Sequence, residues 1–342
     1  MNLQRQSGFG FVEAVICIAI LASVILSIAG LVQTGSSASE QGRRMRKLTE
    51  LAQGATDEMR TRMVSSTRVY GNDASGNAML ALLDLSHAPQ RLGVRRLPTI
   101  DIDGAFRADR PGDQITGNTL LYSYLAWRDA HECLSGKEYL VEVYRVVHYY
   151  LSPVGTGPSE QAPGGLDLVR FVSEPLVDAD SVAAISNPVD RAEVLMHLCN
   201  ATPDAEGSVR EPAQVVWQRT AEPGAPGALR QIDPANGSLS ESILPGTGRA
   251  SVWRIHPGRD RATGQFANRR VAVASNFDAF ADAGGRFALP DLAQGFPHGF
   301  EVQVVGPTSS RKVLLRLVLV DTTPGKLPAW NEFQTILPAH AR

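Results

Sequence analysis

The sequence predicts an α+β protein: a long N-terminal transmembrane α-helix packed on a mainly antiparallel β-sheet head. Three observations lead there. From Gly10 to Val32 the only charged residue is Glu13. From Ser39 to Met63 apolar residues return every three or four positions, the period of a helix with one buried face. Beyond Ser65 the chain breaks into short runs rich in Val, Leu and aromatics, mostly bounded by Gly, Pro, Asn or Asp, as strands are.

The first element is a membrane-span candidate by length. About 20 apolar residues at ~1.5 Å each match a hydrocarbon core of about 30 Å. An ordinary secretory signal fits poorly. Arg5 supplies a basic residue, but the apolar run is too long and carries an acid near its start. Lipidation at Cys17 fits poorly too, because Val15 and Ile16 precede it where small residues belong. Glu13 is the informative residue. A carboxylate in a membrane helix costs about 2.5–3.5 kcal/mol and normally has a partner; the alternative is an acid that snorkels to the interface from the helix end.

The helix is expected to continue to about residue 64. Gly30 and Gly35-Ser36-Ser37 form a weak point that could bend, or simply a surface for close helix packing. After it, Met45, Leu48, Leu51 (or Ala52), Ala55, Met59 and Met63 form one apolar stripe. Glu40–Arg44 and Glu58–Arg62 are spaced i,i+4 with the acid first, the favourable order. Arg43, Arg44, Arg46 and Lys47 therefore read as a solvated helix face and not as a nucleic-acid patch. Such a helix of ~55 residues is about 80 Å long.

In the head, strands are expected at Thr119–Ala126, Tyr139–Tyr150, Leu166–Val172, Gln214–Arg219, Ser251–Ile255, Phe300–Val305 and Lys312–Val320. Tyr139–Tyr150 is long enough to need a bulge or bend. Phe300, Val302 and Val304 alternate with Glu301 and Gln303, which predicts one buried and one wet face. Val313–Val320 is almost wholly apolar, so a central strand covered on both faces is expected. Pro188–Leu198 reads as a short helix capped by Asn187. The Pro- and Gly-rich stretches Pro153–Gly165, Glu222–Gly227 and Leu244–Gly248 read as loop insertions on a single head.

The formal net charge of −2 and pI near 6.4 give no broad attraction for nucleic acid. No nucleophile elbow, zincin motif, Walker loop or dinucleotide fingerprint occurs. No cofactor and no catalytic residue is therefore expected. Asp101-Ile102-Asp103-Gly104, with Asp109 and Asp113, lacks a full calcium ligand series and reads as a polar turn. His87, His148, His256, His298 and His340 name no triad and read as surface or structural residues. Of the three cysteines, Cys133 and Cys199 lie in the soluble part. In an oxidising compartment a Cys133–Cys199 disulfide is the favoured reading. His131-Glu132-Cys133 and His197-Leu198-Cys199 also offer a Cys₂His₂ donor set, although one intervening residue is shorter than zinc modules use. Unpaired buried thiols are the third option.

The order of residues at the N-terminus carries more than its hydropathy. Gly8 is followed by Phe9, Glu13 lies four residues on, and the apolar run begins at once. This resembles the type IV pilin-like family, over roughly the first 35 residues. The resemblance implies cleavage between Gly8 and Phe9 by a prepilin peptidase and methylation of the new Phe9 amine. It also implies that Glu13 pairs with the Phe9 amine of a neighbouring subunit. Gly30 stands where many pilins have a proline. Tyr149-Tyr150-Leu151 and Leu168-Val169-Arg170 resemble paired strands in the heads of J-type pseudopilins and W-type minor pilins, and Pro111-Gly112-Asp113 fits the same pattern loosely.

The implied layout is a leader at 1–8, a helix at 9–64 with its membrane span at about 10–32, and a head at 65–342. The implied function is that of a structural subunit, a minor pilin or pseudopilin of a type IV pilus or type II secretion filament, and not of an enzyme. Its partners would be the peptidase, other pilin subunits, the inner membrane and an assembly platform, with the head in the periplasm. The basic cluster after the apolar run, read by charge bias alone, puts the head on the opposite side. The competing class is a single-pass envelope enzyme or sensor, which has no need of a free amine at Phe9.

Overall fold

The structure is a computed structural model and describes residues 10–86, 95–106, 115–153, 166–199, 215–218, 228–232, 239–240, 242–244, 252–255, 270–274, 299–322 and 329–339. Its first element, α1 (Phe11–Met63), is an unbroken helix of 53 residues. The chain divides into two compact units, Met1–Lys47 and Leu48–Arg342, and α1 contributes to both.

In the first unit the apolar side chains of α1 are turned outward. Phe11, Val12, Ile18, Leu26, Leu31 and Val32 are all exposed. The polar side chains among them close their hydrogen bonds within the helix. Ser23, Ser27 and Thr34 each donate to the carbonyl four residues earlier at 2.8 Å. The Thr34 hydroxyl bonds the carbonyl of Gly30, and the helix continues through Gly30 and Gly35.

In the second unit, residues 48–63 of α1 bury Leu48, Ala52, Ala55, Met59 and Met63. The stripe turns through Ala52, while Leu51 is only partly covered. The strands and helices that follow are β1 (Ser66–Tyr70), α2 (Ala74–Leu82), β2 (Ile100–Asp101), β3 (Leu120–Glu132), β4 (Glu138–Pro153), β5 (Leu166–Val172) and β6 (Leu176–Asp178). Next come α3 (Ala179–Ala183), α4 (Pro188–Cys199), β7 (Val215–Gln218), β8 (Leu229–Ile232), β9 (Leu239–Ser240) and β10 (Val252–Ile255). The chain closes with β11 (Arg270–Val273), β12 (Phe300–Val305), β13 (Arg311–Thr322) and β14 (Ala329–Ala339).

These strands form one mainly antiparallel sheet with the path β2-β12-β13-β11-β5-β4-β6-β8-β9. Among the described strands only β2 and β12 pair in parallel. β14 lies along β13, and β1 reaches β4 through β3. β13 is the centre expected of Val313–Val320: it pairs with β12 and β11 on one side and β14 on the other, and Leu319 is fully buried. β4 and β5 pair with Tyr149 opposite Arg170 and Leu151 opposite Leu168. The larger core cluster includes Tyr70, Met79, Leu80, Tyr144, Val169 and Phe171. A smaller one, with Tyr139, Val143, Val177, Val182, Ile185 and Val194, joins β4 and β6 to α3 and α4.

Two local expectations are corrected. β12 has no wet face: Glu301 is 3 % exposed and Gln303 5 %. Arg316 of β13 meets the Glu301 carboxylate at 3.2 Å, and Gln303 donates to the Thr116 hydroxyl at 3.3 Å, so the polar face is covered by polar partners. Nor does β4 carry the bulge. It runs regularly from Glu138 to Pro153, and the irregularities fall in its neighbours, at Ala126 of β3 and in the β7 pairing between Leu140 and Val141.

Candidate functional site

Gly8 and Phe9 lie outside the described residues, so the expected cleavage junction has no geometry here. Glu13 sits in the first turn of α1 and accepts the Gly10 N–H at 2.9 Å through Oε2. A carboxylate there satisfies an orphan donor and faces the positive end of the helix dipole. Cys17 is exposed on the same helix.

Among the described residues, a group of three potential metal-ligating side chains lies where the β3–β4 hairpin meets α4. The hairpin is long enough to reach α4 because β3 and β4 stay in register out to Glu132 and Glu138. It closes tightly: Cys133 N–H donates to the Lys137 carbonyl and Gly136 N–H to the Cys133 carbonyl, both at 2.8 Å. Gly136 takes φ 75°, the left-handed region that favours glycine. α4 begins as its sequence dictates, with Pro188 in the first turn and the Asn187 side chain accepting the Val189 N–H at 3.0 Å.

Asp190, Glu193 and His197 then recur at i, i+3 and i+7, on one face of α4. Each reaches the hairpin. Buried Asp190 accepts from the Tyr139 hydroxyl at 2.9 Å. Glu193 Oε2 accepts the Leu134 N–H at 2.9 Å. The His197 ring stacks on that of His131, with centroids 4.2 Å apart and planes 18° apart. The Cys133 thiol is buried and donates toward the Asp190 carbonyl at 3.8 Å. One donor atom each from His131, Cys133 and Glu193 lies within 4.8 Å of the others.

The electrostatics follow from this packing. Burial, then the Glu193 carboxylate against the sulfur, pushes the Cys133 thiol up to about 11. For Asp190, burial works to raise the carboxyl, but hydrogen bonds from Ser135 and Tyr139 and the charge of Lys137 hold it below the usual range. The two His-x-Cys pairs were legible in the sequence, and the structure brings His131, Cys133 and His197 together. Cys199 ends α4 and its side chain lies outside the described residues. Asp190 and Glu193 were missed, although their spacing with His197 on a capped helix was the available signal.

Elsewhere the expected pair Glu58–Arg62 forms at 3.3 Å, and Glu58 also takes Arg170 of β5. Glu142 is buried with the Tyr144 hydroxyl at 2.5 Å and Arg128 at 2.5 Å. Asp101 belongs to β2 and its carbonyl accepts the Gly306 N–H at 2.9 Å, while Asp109 and Asp113 lie outside the described residues. His148 is a buried structural residue, bonded to Thr119 at 2.9 Å and stacked on Tyr150. His87, His256, His298 and His340, and the Pro- and Gly-rich stretches 154–165, 222–227 and 245–248, lie outside the described residues.

The architecture is consistent with a pilin-like or membrane-anchored protein: a long N-terminal helix, apolar in its first half, contacting a mainly antiparallel sheet. The helix is long and apolar enough to cross a membrane, a property that a signal sequence shares. No family model matches the chain, and no curated protein or solved structure does either.

Proposed function

We propose that the protein is a type IV pilin-like structural subunit, a minor pilin or pseudopilin, anchored in the inner membrane and assembled into a filament through α1. The observation that carries this reading is the split character of one continuous helix. Residues 11–32 present apolar side chains outward, whereas residues 48–63 bury a single stripe. A helix that only anchored a soluble domain would not need its second half in the core. The Gly8-Phe9 junction and Glu13 in the first turn support the same reading. So does the register of Tyr149 against Arg170 and Leu151 against Leu168, the feature that resembles J-type pseudopilins and W-type minor pilins.

In this proposal a prepilin peptidase cuts after Gly8, and the Phe9 amine of one subunit meets Glu13 of the next. A charge-assisted hydrogen bond in a medium of low dielectric offsets the cost of carrying the carboxylate into the membrane. Intact mass of the membrane-extracted protein tests the first step: residues 1–8 should be missing and Phe9 methylated. A mature chain that begins at Met1, or one cut beyond Val32, points instead to a membrane-anchored enzyme or sensor or to an ordinary exported protein. Glu13→Gln tests the second step. It should be inserted and cleaved normally yet lose crosslinking to partner pilins, and wild-type crosslinking would reduce Glu13 to a helix cap.

A further inference from the structure

We infer that His131, Cys133 and Glu193 form a binding site for a divalent transition-metal cation, Zn²⁺ above all. This goes beyond the filament reading and stands independently of it. The ligand types are those zinc takes: an imidazole nitrogen, a thiolate sulfur and a carboxylate oxygen. The three donor atoms already lie within 4.8 Å of one another. Bonds of about 2.0–2.3 Å to one tetrahedral ion require donors roughly 3.3–3.8 Å apart, so side-chain adjustment suffices.

The donors come from separate elements, two from the end of the β3–β4 hairpin and one from α4 some 60 residues on (Cys133 to Asp190 is 57). Their surroundings hold them in place. The Leu134 N–H fixes one oxygen of Glu193. The His197 ring, stacked on His131, sets the plane of the imidazole. The Cys133 sulfur is fixed by burial at the hairpin turn. Outer contacts of this kind orient metal ligands.

Charge also balances. Binding releases the thiol proton to solvent, and thiolate plus carboxylate then neutralise the dication. The ion would tie the hairpin tip to α4, a clamp for a corner whose apolar cluster is the smaller of the two described above. The metal and a Cys133–Cys199 disulfide compete for the same sulfur, so the two are mutually exclusive.

The test uses the full-length protein extracted in detergent under anaerobic conditions. One portion is alkylated at extraction and its thiols mapped. Another is stripped with a chelator and titrated with Co²⁺. The expected result is a Cys133 thiol not joined to Cys199, about one Co²⁺ per chain, and a near-ultraviolet thiolate-to-cobalt band that Zn²⁺ abolishes. Cys133→Ser should lose the band. Cys199→Ser should keep it. Glu193→Gln, folded by circular dichroism, should keep it with at least about tenfold weaker binding. A Cys133–Cys199 disulfide in the alkylated sample, the absence of a band in the wild type, a band that survives Cys133→Ser, or wild-type affinity in Glu193→Gln would each overturn the proposal.

Discussion

Replacing Glu301 by Gln should make the protein more stable at neutral pH and remove part of its pH dependence. Glu301 stands on β12 directly opposite Arg316 of β13 and is 3 % exposed. Arg316 gives its fork to another acid: Nε and one terminal nitrogen meet Glu332 at 2.8 and 2.9 Å, leaving Glu301 a single contact at 3.2 Å. Burial therefore dominates at Glu301 and pushes its carboxyl up to about 7 against an ordinary 4.5, although Arg316 pulls the other way. Below about pH 4.5 the group is protonated in both states and favours neither. As pH rises from about 4.5 to about 7 the unfolded chain ionises first, and stability falls by about 1.4 kcal/mol per pH unit. Above about 7 both states are ionised and the loss levels off, at no more than about 3–4 kcal/mol. Gln keeps the shape and carries no proton equilibrium. Urea unfolding of the full chain in detergent, followed by fluorescence at about pH 5 and about pH 8, compares the two proteins. The wild type should lose stability relative to Glu301→Gln across that window. Parallel profiles, or a variant less stable than wild type at about pH 8, would refute the reasoning.

Met59→Ala, at a side chain 1 % exposed in the helix stripe, should cost about 2–5 kcal/mol in the same unfolding assay. Glu58→Gln removes the carboxylate that Arg62 and Arg170 share; since Glu58 is 27 % exposed, a loss of about 1–2 kcal/mol is expected, with a double-mutant cycle against Arg170→Met giving a coupling of at least ~0.5 kcal/mol. Gly76→Ala places a Cβ 2.0 Å from the backbone oxygen of Gly71 and should lower the melting temperature. Gly54→Ala, on the helix with nothing within 4 Å, should instead stabilise by up to about 1 kcal/mol.

The parts of this fold that were legible in the sequence are those where one period governs many residues. The stripe through Leu48, Ala55, Met59 and Met63 repeats over several turns, and β13 is apolar from Val313 to Val320 but for Arg316. Short elements escaped. α2 is nine residues long, and its main signal is a single cap, the Asp73 side chain accepting the Gly76 N–H at 2.7 Å. β14 was missed because it is an edge strand: Trp330 and Ile336 are exposed and Pro338 interrupts the pattern. At β12 the alternation was real but its meaning depended on Arg316, a residue on another strand. The cluster at the hairpin tip shows the same limit. Adjacent residues announced His131 and Cys133, while Glu193 joined them only through the docking of α4.

The hydrogen bonds from the soluble half of α1 to β14 constrain the order in which the chain can fold. Asn331 donates to Thr49 at 3.5 Å across 282 residues, and Arg60 donates to Thr335 at 3.2 Å across 275. The helix is made first and this partner strand last. Contacts so distant in sequence close slowly and only after the intervening chain has been delivered. During synthesis, Thr49 and Arg60 of α1 must wait for a strand that has not yet emerged. Until β14 is made, the two bonds that join it to the soluble half of α1 cannot form.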